Sequence, residues 1–183
     1  MIFNNTPLKG AYVIKPEPHL DDRGLFARTY CKNEFAKLNH KKEFVQFNHS
    51  RTLKAGTIRG MHYQLPPYSE IKLIRCIRGR IFDAIIDIRQ DSATFLQHFT
   101  VELSEENMLS VYIPEGFAHG FQTLEDNSEL IYHHTAYYVP GHEAGIRYND
   151  PLIGIHWPLP VSEITEKDRT HEFLDNSFKG LSI

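Results

Sequence analysis

IRGMHYQLPPYSEIK, residues 58–72, brings an Arg, a His, a Glu and a Lys together within fifteen residues that otherwise have the pattern of strands and turns. We take this segment as the centre of a functional site. Around it, from residue 44 to 138, short apolar and β-branched runs alternate with Gly, Pro, Asn or Ser. Their spacing is typical of a β-sandwich or barrel, so the sequence predicts an all-β fold.

The best-marked strand begins after Gly79. A period of two places Phe82, Ala84, Ile86 and Ile88 on one face, which is expected to pack, and carboxylates on the other, namely Asp83 and Asp87. Further strands are predicted over 11–14, 25–30, 99–102, 110–113, 117–123 and 129–138, with short helices over 33–38 and from about 165. The tail after Asp175 is expected to pack loosely.

Composition narrows the class of protein. With 183 residues the chain fits one domain, and its net charge of −3 is spread without a basic stripe, which argues against nucleic acid or an acidic membrane surface as partner. Cys31 and Cys76 form no CxxC pattern, so neither a zinc ribbon nor a disulfide framework is expected. No signal peptide or eighteen-residue apolar run is present. We expect a soluble cytoplasmic protein that binds a small molecule.

Two polar clusters resemble the paired motifs of the cupin superfamily. The first contains His62, Gln64, Glu70 and Lys72, and the second is IPEGFAHGF, residues 113–121, which contains His119. Metal-binding cupins have His-x-His and a Glu in the first motif and a His in the second, but here Gln64 replaces one His. Three ligands, His62, Glu70 and His119, would still suit an open metal site. Because Gln is a poor ligand and Lys72 adds positive charge, we favour a metal-free site with His62 as a base.

The residues of the first cluster also have structural alternatives. A single His on a strand is more often a core residue than a catalyst. Lys72 lies on an otherwise apolar face and needs a buried carboxylate or an anionic ligand, unless its ammonium extends to solvent. Arg59 and His62 are three residues apart and would face opposite sides of a regular strand. A shared site therefore requires a bulge, which Gly60 permits.

The strand predicted over 129–138 places Tyr132, His134 and Tyr138 on one face and His133 on the other, where a surface position is expected. Tyr132 is a candidate general acid and Tyr138 a stacking surface, and aromatic core packing is the alternative.

Asp168 lies three residues after Thr165, the expected N-cap of the last helix. It therefore fits the acidic end of a capping box. The alternative is that its carboxylate reaches His62 and fixes the tautomer of that ring. Asp83 is the other carboxylate that could hold His62.

Several longer motifs occur in order: GTIRGMHYQ at 56–64, KLIRCIRG at 72–79, IPEGFAHGF at 113–121, and NDP at 149–151 followed by WP at 157–158. Together they resemble the dTDP-4-dehydrorhamnose 3,5-epimerases, over residues 22–168. The resemblance implies one cupin-like jelly-roll domain over residues 1–183, without metal or cofactor, that forms a homodimer by exchanging strands within about residues 1–50. It also implies epimerisation at C3 and C5 of a nucleotide-linked 4-keto-6-deoxyhexose, on the way to L-rhamnose and related surface sugars such as those of O-antigen.

The resemblance also implies roles for individual residues. His62 would be the base, Asp168 its partner, Tyr132 the proton donor and Lys72 the group that stabilises the enolate oxygen. A keto group acidifies both adjacent carbons, so one base, one acid on the opposite face and one cation suffice. The residues implied at the substrate are Arg23, Phe26, Gln46, Asn48, Arg59, His119, Tyr138, Glu143 and Lys167.

Two positions depart from the family pattern. Arg28 stands where a Glu is usual and Phe47 where an Asp is usual, so CDP and dTDP both remain open as the nucleotide. Inversion of one centre instead of two is an alternative, because it needs only a different seating of the sugar ring. Two further alternatives are a metal-dependent cupin dioxygenase, using His62, Glu70 and His119, and a sugar-nucleotide binding module without catalysis.

Overall fold

Antiparallel strands dominate the computed structural model, which describes all 183 residues. The short helices are α1 (Lys32–Phe35), a 3-10 turn (Ala36–Leu38) and α2 (Glu166–Thr170). None of them has the length or apolar character needed to span a bilayer. The strands are β1 (Ile2–Asn5), β2 (Tyr12–Lys15), β3 (His19–Asp21), β4 (Gly24–Phe26), β5 (Gln46–Thr52), β6 (Ile58–Gln64), β7 (Lys72–Arg78), β8 (Arg80–Asp87), β9 (His98–Ser104), β10 (Ser110–Ile113), β11 (Phe117–Thr123), β12 (Ser128–His134) and β13 (Glu143–Gly145).

Two large sheets face each other. One has the strand order β1-β2-β10-β7-β12-β5, the other has β13-β6-β11-β8-β9, and β3 and β4 form a separate hairpin. Strands β5 to β12 are divided between the sheets in the order of a jelly roll. The main core lies between the sheets, with Ile74 and Leu130 from one and Ile81, Leu103 and Phe121 from the other. The all-β prediction is therefore confirmed.

Strand β8 packs on both faces. Ala84, Ile86 and Ile88 lie in a second apolar cluster on the outer side of the five-stranded sheet, as predicted. The face that carries the carboxylates is just as buried, since Asp83 is 1% exposed and Asp87 0%. The alternation of residues identified the two faces of β8 but not how deeply each is buried, because it cannot show that a second sheet covers the polar side.

Three predicted elements differ from the structure. The strand predicted over 25–30 ends at Phe26. It corresponds to β4, whose pairing partner β3 has only three residues, so the strand has no partner beyond Phe26. The strand predicted over 129–138 ends at His134, and the next residue, Thr135, bonds through its backbone N–H to Ile71 O. The tail after Asp175 is not loose, since Leu181 packs in the second cluster and exchanges backbone hydrogen bonds with Ile88 and Gln90, just after β8.

The predicted bulge at Gly60 is confirmed. His62 pairs with His119 whereas Arg59 pairs with Phe121, so three steps along β6 match two along β11. The extra residue turns the side chains of Arg59 and His62 into the same cavity. Gly60 has φ +116°, and a Cβ at this position would lie 2.6 Å from Gly120 Cα. The bulge therefore requires glycine for two reasons, backbone conformation and close approach.

Gly60→Ala should lower the free energy of unfolding by more than about 1–3 kcal/mol, which is the cost of a sparsely populated backbone conformation by itself. Gly24→Ala is the matched control, because Gly24 has φ +125° and a Cβ added there would have no other atom within 4 Å. Urea unfolding of both variants separates the cost of the backbone conformation from the cost of the close approach to β11. Equal losses would show that close packing against β11 does not matter.

Candidate active site

A polar cavity of about 410 Å³ lies between the inner faces of the two sheets, within the size range of small-molecule sites. Strands β5, β7 and β12 line one wall, β6 and β11 line the other, and the start of α2 closes one side. The lining residues are Asn48, Ser50, Arg59, His62, Lys72, His119, Phe121, Tyr132, His134, Thr165, Lys167 and Asp168.

His62 and Asp168 form a hydrogen-bonded pair. His62 Nε2 lies 2.7 Å from Asp168 Oδ1, and the other carboxylate oxygen accepts from Gly60 N at 3.1 Å. Burial acts to raise the pKa of Asp168, but the hydrogen bonds from His62 and Gly60 outweigh it and hold the pKa below its usual range. Asp168 is therefore ionised. The Asp168 side chain is 3% exposed and that of His62 is 43% exposed, so the carboxylate lies behind the imidazole and the imidazole faces the cavity.

Thr165 caps α2, because its hydroxyl accepts from Asp168 N at 3.2 Å. The capping interpretation of Thr165 is thus confirmed. The side chain of Asp168, however, makes the alternative contact and reaches His62. Asp168 thus joins the N-terminus of α2 to His62.

Tyr132 lies on the wall opposite His62. Its ring stacks on His134, with centroids 6.0 Å apart, and meets the His119 ring edge-on at 6.1 Å. Burial raises the pKa of Tyr132 above its usual range, so the phenol keeps its proton at neutral pH. Its hydroxyl can therefore donate a proton but does not act as a resident base.

His119 forms a second histidine–carboxylate pair. His119 Nε2 lies 2.7 Å from Asp83 Oδ2, and both residues are buried. Burial lowers the pKa of His119 despite the nearby carboxylate, so the ring is neutral. The alternative in which Asp83 holds His62 is wrong, because β8 pairs with β11 and brings Asp83 to His119 instead.

The buried carboxylate expected near Lys72 is Glu70. Lys72 Nζ lies 3.3 Å from Glu70 Oε1, and the other oxygen, Oε2, lies 2.8 Å from His134 Nδ1. Burial acts to raise the pKa of Glu70, but His134 and Lys72 outweigh it and leave the pKa below its usual range. The cavity therefore receives the ammonium of Lys72 with an ionised carboxylate beside it.

The residues of the alternative metal site have separate partners. His62 bonds to Asp168, His119 to Asp83, and Glu70 to Lys72 and His134. No three His, Cys, Asp or Glu side chains are arranged to hold a metal ion. Gln64, in the place of the second cupin His, bonds through its amide to backbone groups of Tyr68, Tyr137 and Val139. The amide thus joins two loops.

Seven of the nine residues expected at the substrate lie in or beside the cavity: Gln46, Asn48, Arg59, His119, Tyr138, Glu143 and Lys167. Lys167 and Glu143 form an ion pair at the rim. Arg23 and Phe26 lie elsewhere, on the exposed β3–β4 hairpin. Of the two departures, Arg28 pairs with Glu34 at 3.0 Å, and Phe47 lies on the outer face of β5 against the His133 ring.

Four lining residues were not among the expected site residues: Ser50, Phe121, His134 and Thr165. Alternation alone could have found three of them. Ser50 follows Asn48 by two residues, Phe121 follows His119 by two, and His134 follows Tyr132 by two. Once one residue of a strand is assigned to a cavity, its neighbours at i±2 are candidates as well.

Comparison with known proteins gives a consistent result. The family model for dTDP-4-dehydrorhamnose 3,5-epimerase matches residues 5–176. The dTDP-4-dehydrorhamnose 3,5-epimerase of Salmonella typhimurium is 41% identical over 178 residues, which cover 97% of each chain. The crystal structure of the Bacillus anthracis epimerase with TDP and PPi bound has a TM-score of 0.91 and 38% identity, covering 94% of this chain and 99% of that one. The Legionella pneumophila enzyme in complex with dTDP-4-keto-L-rhamnose has a TM-score of 0.92 and 35% identity, covering 100% and 98%.

Asp168→Asn should lower the free energy of unfolding at neutral pH by about 2 kcal/mol, the typical value of a hydrogen bond to a charged group. A carboxyl whose pKa is lowered by folding stabilises the protein fully above its unfolded value, about 3.9, and loses this contribution as pH falls through the folded value. The difference between wild type and variant should therefore shrink below about pH 4. Urea unfolding at neutral and acidic pH measures it.

Asp91→Asn is the control for this substitution, because Asp91 is exposed. It should unfold like wild type across the same range. A difference between Asp168→Asn and wild type that stays constant with pH would contradict an ionised Asp168.

Proposed function

The chain belongs to the dTDP-4-dehydrorhamnose 3,5-epimerase family, and from this premise we propose that it converts dTDP-4-dehydro-6-deoxy-D-glucose to dTDP-4-dehydro-L-rhamnose. It is an isomerase that inverts C3 and C5. The observation that carries the proposal is the position of the two groups: the His62–Asp168 pair and Tyr132 come from opposite sheets and line one cavity. Inversion through an enolate needs a base on one face of the carbon and an acid on the other.

The proposed reaction starts with proton abstraction next to the keto group. His62 Nε2 donates to Asp168, which leaves Nδ1 to take the proton from C3 or C5. The electron pair of the broken C–H bond moves to the keto oxygen, and the Lys72 ammonium stabilises the enolate charge there. Tyr132 then donates its phenolic proton to the opposite face of the same carbon. His62 releases its proton to solvent and Tyr132 regains one, so the enzyme is restored.

The charged and polar rim suits a nucleoside diphosphate. Arg59 and Lys167 bring cations to the cavity, where a diphosphate binds favourably. Asn48, Gln46 and the exposed ring of Tyr138 lie together at another part of the rim and receive the nucleoside. The Bacillus anthracis relative is described with TDP and PPi bound.

The proposed assembly is a homodimer in which the β3–β4 hairpin reaches the partner's cavity. The hairpin contacts neither large sheet through hydrogen bonds and exposes three apolar side chains, Leu20, Leu25 and Phe26. Strand β5 pairs only with β12, so its other edge is open beside Asn48 and Ser50. A hairpin placed there brings Arg23 and Phe26 to the substrate. As a cytoplasmic dimer, the enzyme acts in rhamnose biosynthesis for surface polysaccharides such as O-antigen.

Proton NMR in D₂O tests the reaction. Wild-type protein incubated with the dTDP-linked 4-keto-6-deoxyglucose should incorporate deuterium at C3 and C5 and form the L-lyxo product, and the CDP-linked sugar tests the nucleotide. His62→Ala should lower the exchange rate at least about 10²-fold, the usual contribution of a positioned base. His133→Ala is the control, because His133 does not line the cavity.

Exchange at only one carbon would replace the proposal with a mono-epimerase. No exchange by wild type with either nucleotide, or unchanged exchange by His62→Ala, would refute it.

Mixing two inactive variants tests the assembly. Arg23→Ala and His62→Ala subunits, refolded together, should form heterodimers with one intact cavity, because the intact Arg23 comes from the other chain. Random pairing at equal concentrations predicts about a quarter of wild-type activity, since half the dimers are mixed and each has one of two sites. Activity no higher than the mean of the two parent variants would contradict the exchange of hairpins.

A further inference from the structure

A chain of polar contacts begins at Lys72, a buried residue that lines the cavity. One oxygen of Glu70 forms an ion pair with Lys72 Nζ at 3.3 Å, and the other accepts a hydrogen bond from His134 Nδ1 at 2.8 Å. Glu70 and His134 have side chains that are about one-tenth exposed or less, so the His134 ring has little freedom to turn. The inner half of the chain therefore joins the proposed enolate-stabilising cation to a histidine that also lines the cavity.

The chain continues from His134 to the rim. His134 Nε2 lies 3.4 Å from Asn48 Nδ2, and Asn48 Oδ1 accepts from Gln46 Nε2, also at 3.4 Å. Gln46 Oε1 in turn accepts from the backbone N–H of Tyr138 at 3.1 Å. Two side-chain amides thus lie in series between the histidine and the loop that carries Tyr138.

Both ends of this chain impose the same direction of donation. An ionised Glu70 can only accept, so His134 Nδ1 carries the hydrogen, and in the tautomer with its single hydrogen on Nδ1 the ring accepts at Nε2. Asn48 must then point its NH₂ group toward His134 and its oxygen toward Gln46. At the other end the Tyr138 N–H can only donate, which turns the Gln46 oxygen toward it and its NH₂ group toward Asn48. The two requirements agree.

We propose that His134, held by Glu70, is a positioning residue that fixes the amide orientation of Asn48 and so determines how the cavity receives the nucleoside. Asn48 lines the cavity, and one N–H and one oxygen lone pair of its amide are committed to His134 and Gln46. The amide therefore presents its other N–H and its other lone pair to the ligand in a single orientation. Released from His134, the amide could reverse. The ligand class is a pyrimidine nucleoside diphosphate, and this inference rests on the proposed function.

Two substitutions at His134 test its hydrogen bonds to Glu70 and Asn48 separately. His134→Asn keeps an amide near the position of Nδ1, which can donate to Glu70, but it withdraws the acceptor from Asn48. His134→Gln places an amide near the position of Nε2, whose oxygen can accept from Asn48. Both variants lose the stacking on Tyr132, so this shared loss does not distinguish them.

Isothermal titration with TDP measures the difference. His134→Asn should weaken TDP binding about fivefold to tenfold, the effect of one net hydrogen bond, whereas His134→Gln should stay within about twofold of wild type. The control is His133→Asn, the same substitution on the other face of β12, which should bind TDP like wild type.

Equal affinities of His134→Asn and His134→Gln would overturn the inference, and so would equal weakening by His133→Asn. Failure of the proposed function gives a different result. Wild type would then bind no TDP, or would bind TDP and exchange no substrate proton, whatever the order of the His134 variants.

Discussion

Charge inside a β-barrel needs compensation, and this constraint organises the whole cavity. Moving an ionised group from water to a protein interior costs several kcal/mol unless hydrogen bonds and an opposite charge offset it. Here each carboxylate behind the cavity wall has a nitrogen partner that faces or approaches the cavity. The pairs are Asp168 with His62, Asp83 with His119, and Glu70 with Lys72 and His134. The carboxylates thus lie behind, and the groups that can exchange protons or stabilise an anion lie in front.

The bulge in β6 connects this charge pattern to the backbone. Gly60 adds one residue to the strand, which brings Arg59 and His62 to the same side, and its own N–H bonds to Asp168. The same backbone irregularity therefore places His62, the proposed base, and helps to keep Asp168 ionised. A regular strand would lose both effects, because Arg59 would turn to the opposite face and the N–H would remain in the ladder with β11.

Local patterns in the sequence predicted much of this arrangement. Alternation and the spacing of turn residues identified the strands from β8 to β12 and placed Tyr132 with His134, and the Gly60 bulge followed from the spacing of two polar residues. What failed required knowledge of distant pairing. Whether Asp83 holds His62 or His119 depends on which strand lies beside β8, and the depth of its polar face depends on the opposing sheet. The alternation of residues along one strand specifies neither the partner of Asp83 nor the burial of that face. In the proposed homodimer the positions of Arg23 and Phe26 relative to a cavity depend on the partner chain, which a single sequence does not specify.

Gln64 shows how a cupin framework can use a ligand position for another purpose. Its amide bonds to backbone groups of Tyr68, Tyr137 and Val139, so the residue fixes two loops at the rim. In the proposed reaction the positive charge at the keto oxygen then comes from Lys72. A lysine can supply this charge only if a nearby carboxylate allows the ammonium to be buried without neutralising its attraction for the keto oxygen. Glu70 meets that requirement because it divides its two oxygens between Lys72 and His134. Since Lys72 Nζ also donates to His62 O at 3.4 Å, the ammonium keeps one hydrogen atom for the enolate. Sharing one carboxylate between the cation and the histidine thus links the chemistry to the orientation of the nucleoside side of the cavity.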